Sequence, residues 1–292
     1  MFEGTHTALV TPFHNGEVDW KAYARLIESQ IAAGISGIVP VGTTGESPTL
    51  THPEHSLVIK SAVEAAKGRC KVIAGTGSNS TAEAISLTKE AEKIGADAAL
   101  LVAPYYNRPS QEGLYRHFAA IAKSVKIPII LYSIPGRCGV EIAVETVVRL
   151  AADYRNIVAI KEAGGSVERV SALRLALPEH FEILSGDDSL TLPFLSVGAV
   201  GVISVASNLI PSEVAGMVQS WLDGNTKHAF AQHRKFYRLF KDLFIETNPV
   251  PIKFALSLQS LMTPEVRLPL CEMSEPNQKK LQALLQELQL VS

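Results

Sequence analysis

Cysteine is scarce in this chain. Cys70, Cys138 and Cys271 are far apart and odd in number, so they form neither a disulfide framework nor a metal-ligand pattern and fit a reducing compartment. An excess of one charge is also lacking. Lys and Arg number 27 against 29 Asp and Glu, for a net charge of −2, and without a basic stripe nucleic acid is a poor partner. No apolar run reaches the roughly 18 residues of a membrane span. The start, MFEGTHTALVTPF, has no basic flank leading into an apolar stretch, as a signal peptide would. These absences together lead to the expectation of a cytoplasmic protein with no membrane contact.

What is present is core-forming material. Hydrophobic residues make up 47% and charged residues 19% of 292, enough for a large buried interior. That length suits one barrel of about 250 residues with an appendage, or two smaller domains. Short Val-, Ile- and Ala-rich runs at 5–10, 37–41, 71–74, 98–103, 128–132, 157–161, 182–185 and 200–204 read as strands. Amphipathic stretches at 19–33, 53–67, 81–94 and 111–125 read as helices between them. Nearly unbroken apolar strands separated by helices indicate a parallel sheet covered on its outer face.

Three segments around Gly34, Gly95 and Gly198 share one design: a glycine that stops a helix, a tight turn, then a buried strand. No Gly-x-Gly-x-x-Gly turn follows the first strand, so an open dinucleotide-binding sheet is disfavoured. The expected fold is α/β, a (β/α)8 TIM barrel over residues 1–224. A helix at 213–222 is expected to complete the eighth unit, and a C-terminal helical region, 225–292, with helices at 227–244, 252–260 and 277–290, to pack on the barrel, the breaks falling at Gly224, Pro249, Pro251, Pro264 and Pro269.

Barrel active sites lie at the carboxyl ends of the strands. Lys161 ends the apolar run Ile157-Val158-Ala159-Ile160, whereas most other lysines sit at strand starts or on helix faces. An apolar setting lowers an amine's pKa, as a Schiff-base lysine needs; the bland alternative is a solvated side chain or a pair with Glu162. Tyr132 and Tyr106 could relay protons, or simply pack with the hydroxyl at the rim. Thr43 and Thr44, between glycines, offer hydroxyl and backbone donors to a carboxylate, or form an ordinary turn. Arg137 could clasp a carboxylate in a bidentate pair, or make a surface salt bridge. His52-Pro53-Glu54-His55 lacks the His-Glu-x-x-His order of a metal site and reads as a helix start; no metal is expected. Asp187-Asp188 reads as helix capping, and Cys138 as a small packing group.

The segments Gly42-Thr43-Thr44-Gly45-Glu46-Ser47, Tyr105-Tyr106-Asn107-Arg108-Pro109, Tyr132-Ser133-Ile134-Pro135-Gly136-Arg137 and Ile160-Lys161-Glu162-Ala163 resemble the signatures of the dihydrodipicolinate synthase family of pyruvate-dependent class I aldolases and lyases. Ser185-Gly186-Asp187-Asp188 and Gly201-Val202-Ile203-Ser204 extend the match over nearly the whole chain.

The resemblance implies condensation of pyruvate, as a Schiff base on Lys161, with L-aspartate 4-semialdehyde on the diaminopimelate route to lysine, without a cofactor. It implies a proton relay of Tyr132, Thr43 and Tyr106, with Tyr106 supplied across a dimer interface of a homotetramer (a dimer of dimers). Thr44 would hold the pyruvate carboxylate and Arg137 that of the semialdehyde, with Gly186 and the Ile203 carbonyl lining the pocket. Ser47, Pro48, His52, His55, Asn79, Glu83 and Tyr105 match positions that bind L-lysine as feedback inhibitor in some members.

Two positions depart from the family pattern. Ser133 stands where asparagine is usual and Cys138 where threonine is usual, both near the second substrate. The competing readings are N-acetylneuraminate lyase, a 2-keto-3-deoxy sugar acid aldolase or 4-hydroxy-2-oxoglutarate aldolase, a sugar-phosphate enzyme, and a barrel kept only for binding.

Overall fold

The computed structural model describes residues 1–291. Eight strands close into a parallel barrel: β1 (Gly4–Ala8), β2 (Gly37–Val39), β3 (Lys71–Gly75), β4 (Ala98–Val102), β5 (Ile129–Ser133), β6 (Ile157–Glu162), β7 (Glu182–Ser185) and β8 (Gly201–Ser204). Each pairs with its neighbours in sequence, and β1 closes the ring against β8, Gly4 opposite Gly201. All eight were legible as apolar runs, because a barrel strand is buried on both faces and shows no polar alternation. The run at 37–41 is shorter than expected. Pro40 follows β2 and Val41 turns at φ +50°, which swings the chain into the Gly42–Ser47 loop.

The outer layer consists of α1 (Trp20–Ala32), α2 (His52–Ala66), α3 (Thr81–Ile94), α4 (Gln111–Ser124), α5 (Val144–Asp153), α6 (Val167–Ala176), α7 (Thr191–Leu195) and α8 (Pro211–Leu222). Local chemistry sets their ends. Thr51 and Glu54 form a reciprocal capping box that starts α2, satisfying two orphan donors at once. Gly95 stops α3 at φ +98°, a conformation costly for any residue with a Cβ. Gly34 and Gly198 also lie at positive φ, so the threefold echo in the sequence is a repeated helix-to-strand turn.

Beyond α8 follow α9 (Thr226–Asp242), α10 (Val250–Leu258) and α11 (Glu275–Glu287). Pro251 does not delay α10 as the sequence suggested. It lies in the first turn, where a missing N–H costs no hydrogen bond. α9 packs on α8, α11 packs on α10, and α10 reaches the Ala206–Asn208 turn after β8. The helical tail thus meets the carboxyl end of the barrel, the end that carries the reactive groups.

Candidate active site

A cavity of about 420 Å³ opens at the carboxyl ends of the strands. It lies among Thr43 and Thr44 after β2, Tyr132 on β5, Arg137 beyond it, Lys161 on β6 and Gly186 after β7. The barrel geometry explains the convergence. Side chains alternate along a strand. In β6, Lys161 joins this inward set, while Glu162 turns outward to pair with Arg169 on α6 at 2.9 Å.

Lys161 is 6% exposed. Burial removes water from its ammonium and pulls its pKa from the ordinary 10.5 to about 7; the Asp188 charge opposes this and Arg137 adds to it. A large neutral fraction is therefore present near pH 7, which nucleophilic amine chemistry requires. Tyr132 is the register partner of Lys161 across β5 and β6. Its phenol is pushed up to about 12, mainly by burial, against the Arg137 charge and a hydrogen bond with Thr43. It is thus held protonated, ready to donate. The amine lies over the face of the phenol ring, 4.2 Å from its centre, and the phenol in turn bonds the Thr43 hydroxyl.

Gly186 makes this packing possible. A Cβ there would come within 2.7 Å of the Ala163 Cβ and 3.0 Å of the Lys161 Cε. Ile203 is buried in β8, beside β7, whose end leads into Gly186. Cys138 also lines the cavity, but burial pushes its thiol up to about 11, and the thiol donates to the Ala103 carbonyl at 3.2 Å. It is a packing group.

Tyr106 stands apart from this set. It is 91% exposed on the loop after β4, at φ +71°, and does not line the cavity of its own chain.

The remaining predicted residues cluster toward α2 and α3. Ser47, Pro48, His52, His55, Glu83 and Tyr105 all line the same cavity. His52 pairs with Glu83 at 2.9 Å, and the Ser78 hydroxyl, then His52, hold the Glu83 carboxyl below its usual range. The His55 ring bonds the Gly75 carbonyl at 2.9 Å. Asn79 stays at the edge, its carbonyl accepting from Asn107.

Three groups escaped the sequence reading. The capping reading holds for Asp187, which accepts from the Ser189 and Leu190 backbone, and fails for Asp188. Asp188 is buried and accepts from the Val205 and Ala206 backbone and the Ser204 hydroxyl. It pins the loop after β8, and its charge acts to raise the Lys161 pKa. Burial raises its carboxyl to about 6 despite those donors.

Asn248 lines the cavity from the helical tail. Glu46, at φ +54°, and Lys253 form a fully buried ion pair behind the Thr43-Thr44 turn. Lys253 also donates to the Glu265 carbonyl, and the Arg267 N–H binds Glu46. The only signal in the sequence was a charged residue in an apolar context, Lys253 in α10.

The sequence profile of the Dihydrodipicolinate synthetase (DHDPS) family matches residues 1–288. The chain belongs to that family. The 4-hydroxy-tetrahydrodipicolinate synthase of Sulfurihydrogenibium sp. (strain YO3AOP1) is 53% identical over 292 residues, covering 100% of each chain. The structure of the 4-hydroxy-tetrahydrodipicolinate synthase from Methylacidiphilum fumariolicum SolV matches at TM-score 0.98 and 60% identity, covering 99% of this chain and 96% of that one. A crystal structure of DHDPS from Cyanidioschyzon merolae with lysine bound matches at TM-score 0.97 and 43% identity, covering 99% of each chain.

Proposed function

We propose that the chain is a Schiff-base lyase joining pyruvate to L-aspartate 4-semialdehyde, the 4-hydroxy-tetrahydrodipicolinate synthase reaction of lysine biosynthesis. One observation carries this reading: the buried Lys161 amine, near neutrality, at the mouth of the barrel beside Tyr132. The full-length relatives of that name support the choice of reaction.

In this reading the neutral Lys161 amine adds to the pyruvate ketone. The Tyr132 phenol gives its proton to the departing hydroxyl, which leaves as water, and an imine remains. The protonated imine is an electron sink, so the adjacent methyl loses a proton and becomes an enamine carbon that attacks the aldehyde. Tyr132 and Thr43 move the protons, work worth about 10²- to 10⁴-fold. Thr44 holds the pyruvate carboxylate and Arg137 that of the semialdehyde. Gly186 and the Ile203 carbonyl border the pocket.

Tyr106 completes the relay in a partner's site, within a homotetramer built as a dimer of dimers. Its exposure at the tip of a loop supports this role. L-lysine is the regulatory ligand. Glu83 offers its ammonium a carboxylate, Tyr105 and Asn79 offer hydrogen bonds to its carboxylate, and Ser47, Pro48, His52 and His55 complete the site. The lysine-bound relative supports this assignment. No helix among the described residues is long and apolar enough to cross a membrane, and we place the reaction in the cytoplasm.

The test is a turnover assay in which both substrates and the product are quantified by mass spectrometry. One pyruvate should disappear per semialdehyde. Faster cleavage of a sialic acid, a 2-keto-3-deoxy sugar acid or 4-hydroxy-2-oxoglutarate would replace the synthase reading.

A further inference from the structure

Asn248 connects the two carboxylate binders of the site. Its side-chain Nδ2 donates to the Thr44 hydroxyl at 3.0 Å, and its main-chain carbonyl accepts from the Arg137 guanidinium at 3.1 Å. Asn248 is 5% exposed and Thr44 3% exposed, so water does not compete for the amide contact. The Asn248 Oδ1 is buried without a partner. An asparagine kept only for packing would be expected to avoid that cost.

The consequence follows from the hydroxyl itself. A threonine oxygen can accept a hydrogen bond and has a single proton to give. Since Thr44 accepts from Asn248, its proton remains available to a group on the cavity side. A ligand carboxylate has only acceptors, so it requires Thr44 in that orientation.

We propose that Asn248 is a positioning residue of the condensation: its amide fixes the Thr44 hydroxyl as a donor toward the 2-oxo acid carboxylate. This rests on the reading of Thr44 as the pyruvate binder. It brings the helical tail into substrate recognition, because Asn248 lies just before α10 and reaches the β2 loop across the barrel mouth. Arg137 is held by a main-chain atom, which no side-chain substitution at position 248 removes.

The experiment uses the full chain with Asn248→Asp and Asn248→Ala, each alone and combined with Thr44→Val. It measures the pyruvate concentration for half-maximal borohydride trapping and the KM of each substrate, with a thermal melt to verify folding. Asn248→Asp keeps the shape but presents only acceptors to Thr44, and so turns the hydroxyl proton away from the ligand. Half-saturating pyruvate should rise at least about tenfold in Asn248→Asp and less in Asn248→Ala, the scale of one well-placed hydrogen bond to a charged group. The semialdehyde KM should stay within about twofold. In the Thr44→Val background either change should add less than about twofold, as expected of residues acting through one contact.

Unchanged pyruvate affinity, equal effects on both substrates, or full additivity with Thr44→Val would each overturn the proposal. Should Asn248→Asp fail to fold, Asn248→Ala makes the same comparisons. If the parent enzyme traps no pyruvate at all, the reading of the site has failed and the proposal falls with it.

Discussion

The Lys161 amine lies 4.2 Å from the centre of the Tyr132 ring. The two residues face each other across β5 and β6 as direct register partners. The ring face offers a cation some compensation, but the loss of water dominates and the amine titrates near 7. The rate of imine formation with pyruvate should therefore rise as pH increases through about 7 and level off above it. The Asp188 carboxylate raises the Lys161 pKa, so Asp188→Asn should move that inflection to lower pH. Stopped-flow trapping across pH 5–9 measures both. An inflection near the ordinary lysine value would show an amine that is solvated.

The same depression has a cost in stability. The folded pKa of about 7 lies below the ordinary 10.5, so between these values the unfolded chain binds a proton that the folded chain does not. Lys161's contribution to stability therefore improves with rising pH through that window and is worst below pH 7. Lys161→Met should stabilise the fold, by on the order of a few kcal/mol at pH 6 and less at pH 9. Urea denaturation at the two pH values measures the difference, and equal gains at both would contradict this origin.

Lys253 in α10 and Glu46, next to the Thr43-Thr44 turn, are a dry ion pair. Lys253→Met leaves the buried Glu46 carboxylate without its cation, held only by the Arg267 N–H, and should cost about 3–5 kcal/mol. Adding Glu46→Gln removes that charge and should restore most of the loss. Chemical denaturation of the single and double variants makes the comparison. A double variant no more stable than the single one would mean that the pair's charges are unimportant.

Gly186 leaves no room for a methyl beside the Lys161 Cε and Ala163 Cβ. Gly186→Ala should displace the amine and reduce imine formation by about 100-fold, the effect of a misplacement near 1 Å. Single-turnover trapping with pyruvate provides the number, and a rate within about twofold of the parent would show that the neighbours yield easily.

Glu83 pairs with His52 at the cavity edge. Millimolar L-lysine should inhibit the parent enzyme partially at saturating pyruvate, and Glu83→Ala should lose about 1.4 kcal/mol or more of lysine binding, a tenfold weaker inhibition. Equal inhibition of both proteins would remove this site from the regulation.

The barrel was readable because its strands are buried on both faces and its helix stops repeat at Gly34, Gly95 and Gly198. Lys161 was readable because a charge closing an apolar strand is conspicuous. Asp188 was not, since its neighbour Asp187 is an ordinary cap and the sequence does not distinguish a carboxylate that bonds its own turn from one that reaches Val205 and Ala206. Asn248 was invisible for a different reason. Its partners Thr44 and Arg137 are 204 and 111 positions away, and only the path of the helical tail brings them together. The short helix start at Val250 was hidden by Pro251, read as a break although a first-turn proline is compatible with a helix.

The most direct measurement is intact-mass analysis after borohydride reduction with pyruvate, followed by peptide mapping, on the parent chain and on Lys161→Ala. The expected result is one reduced pyruvate per parent chain, mapped to Lys161, and none on the variant. An adduct on any other lysine, or undiminished trapping by Lys161→Ala, would contradict the Schiff-base account.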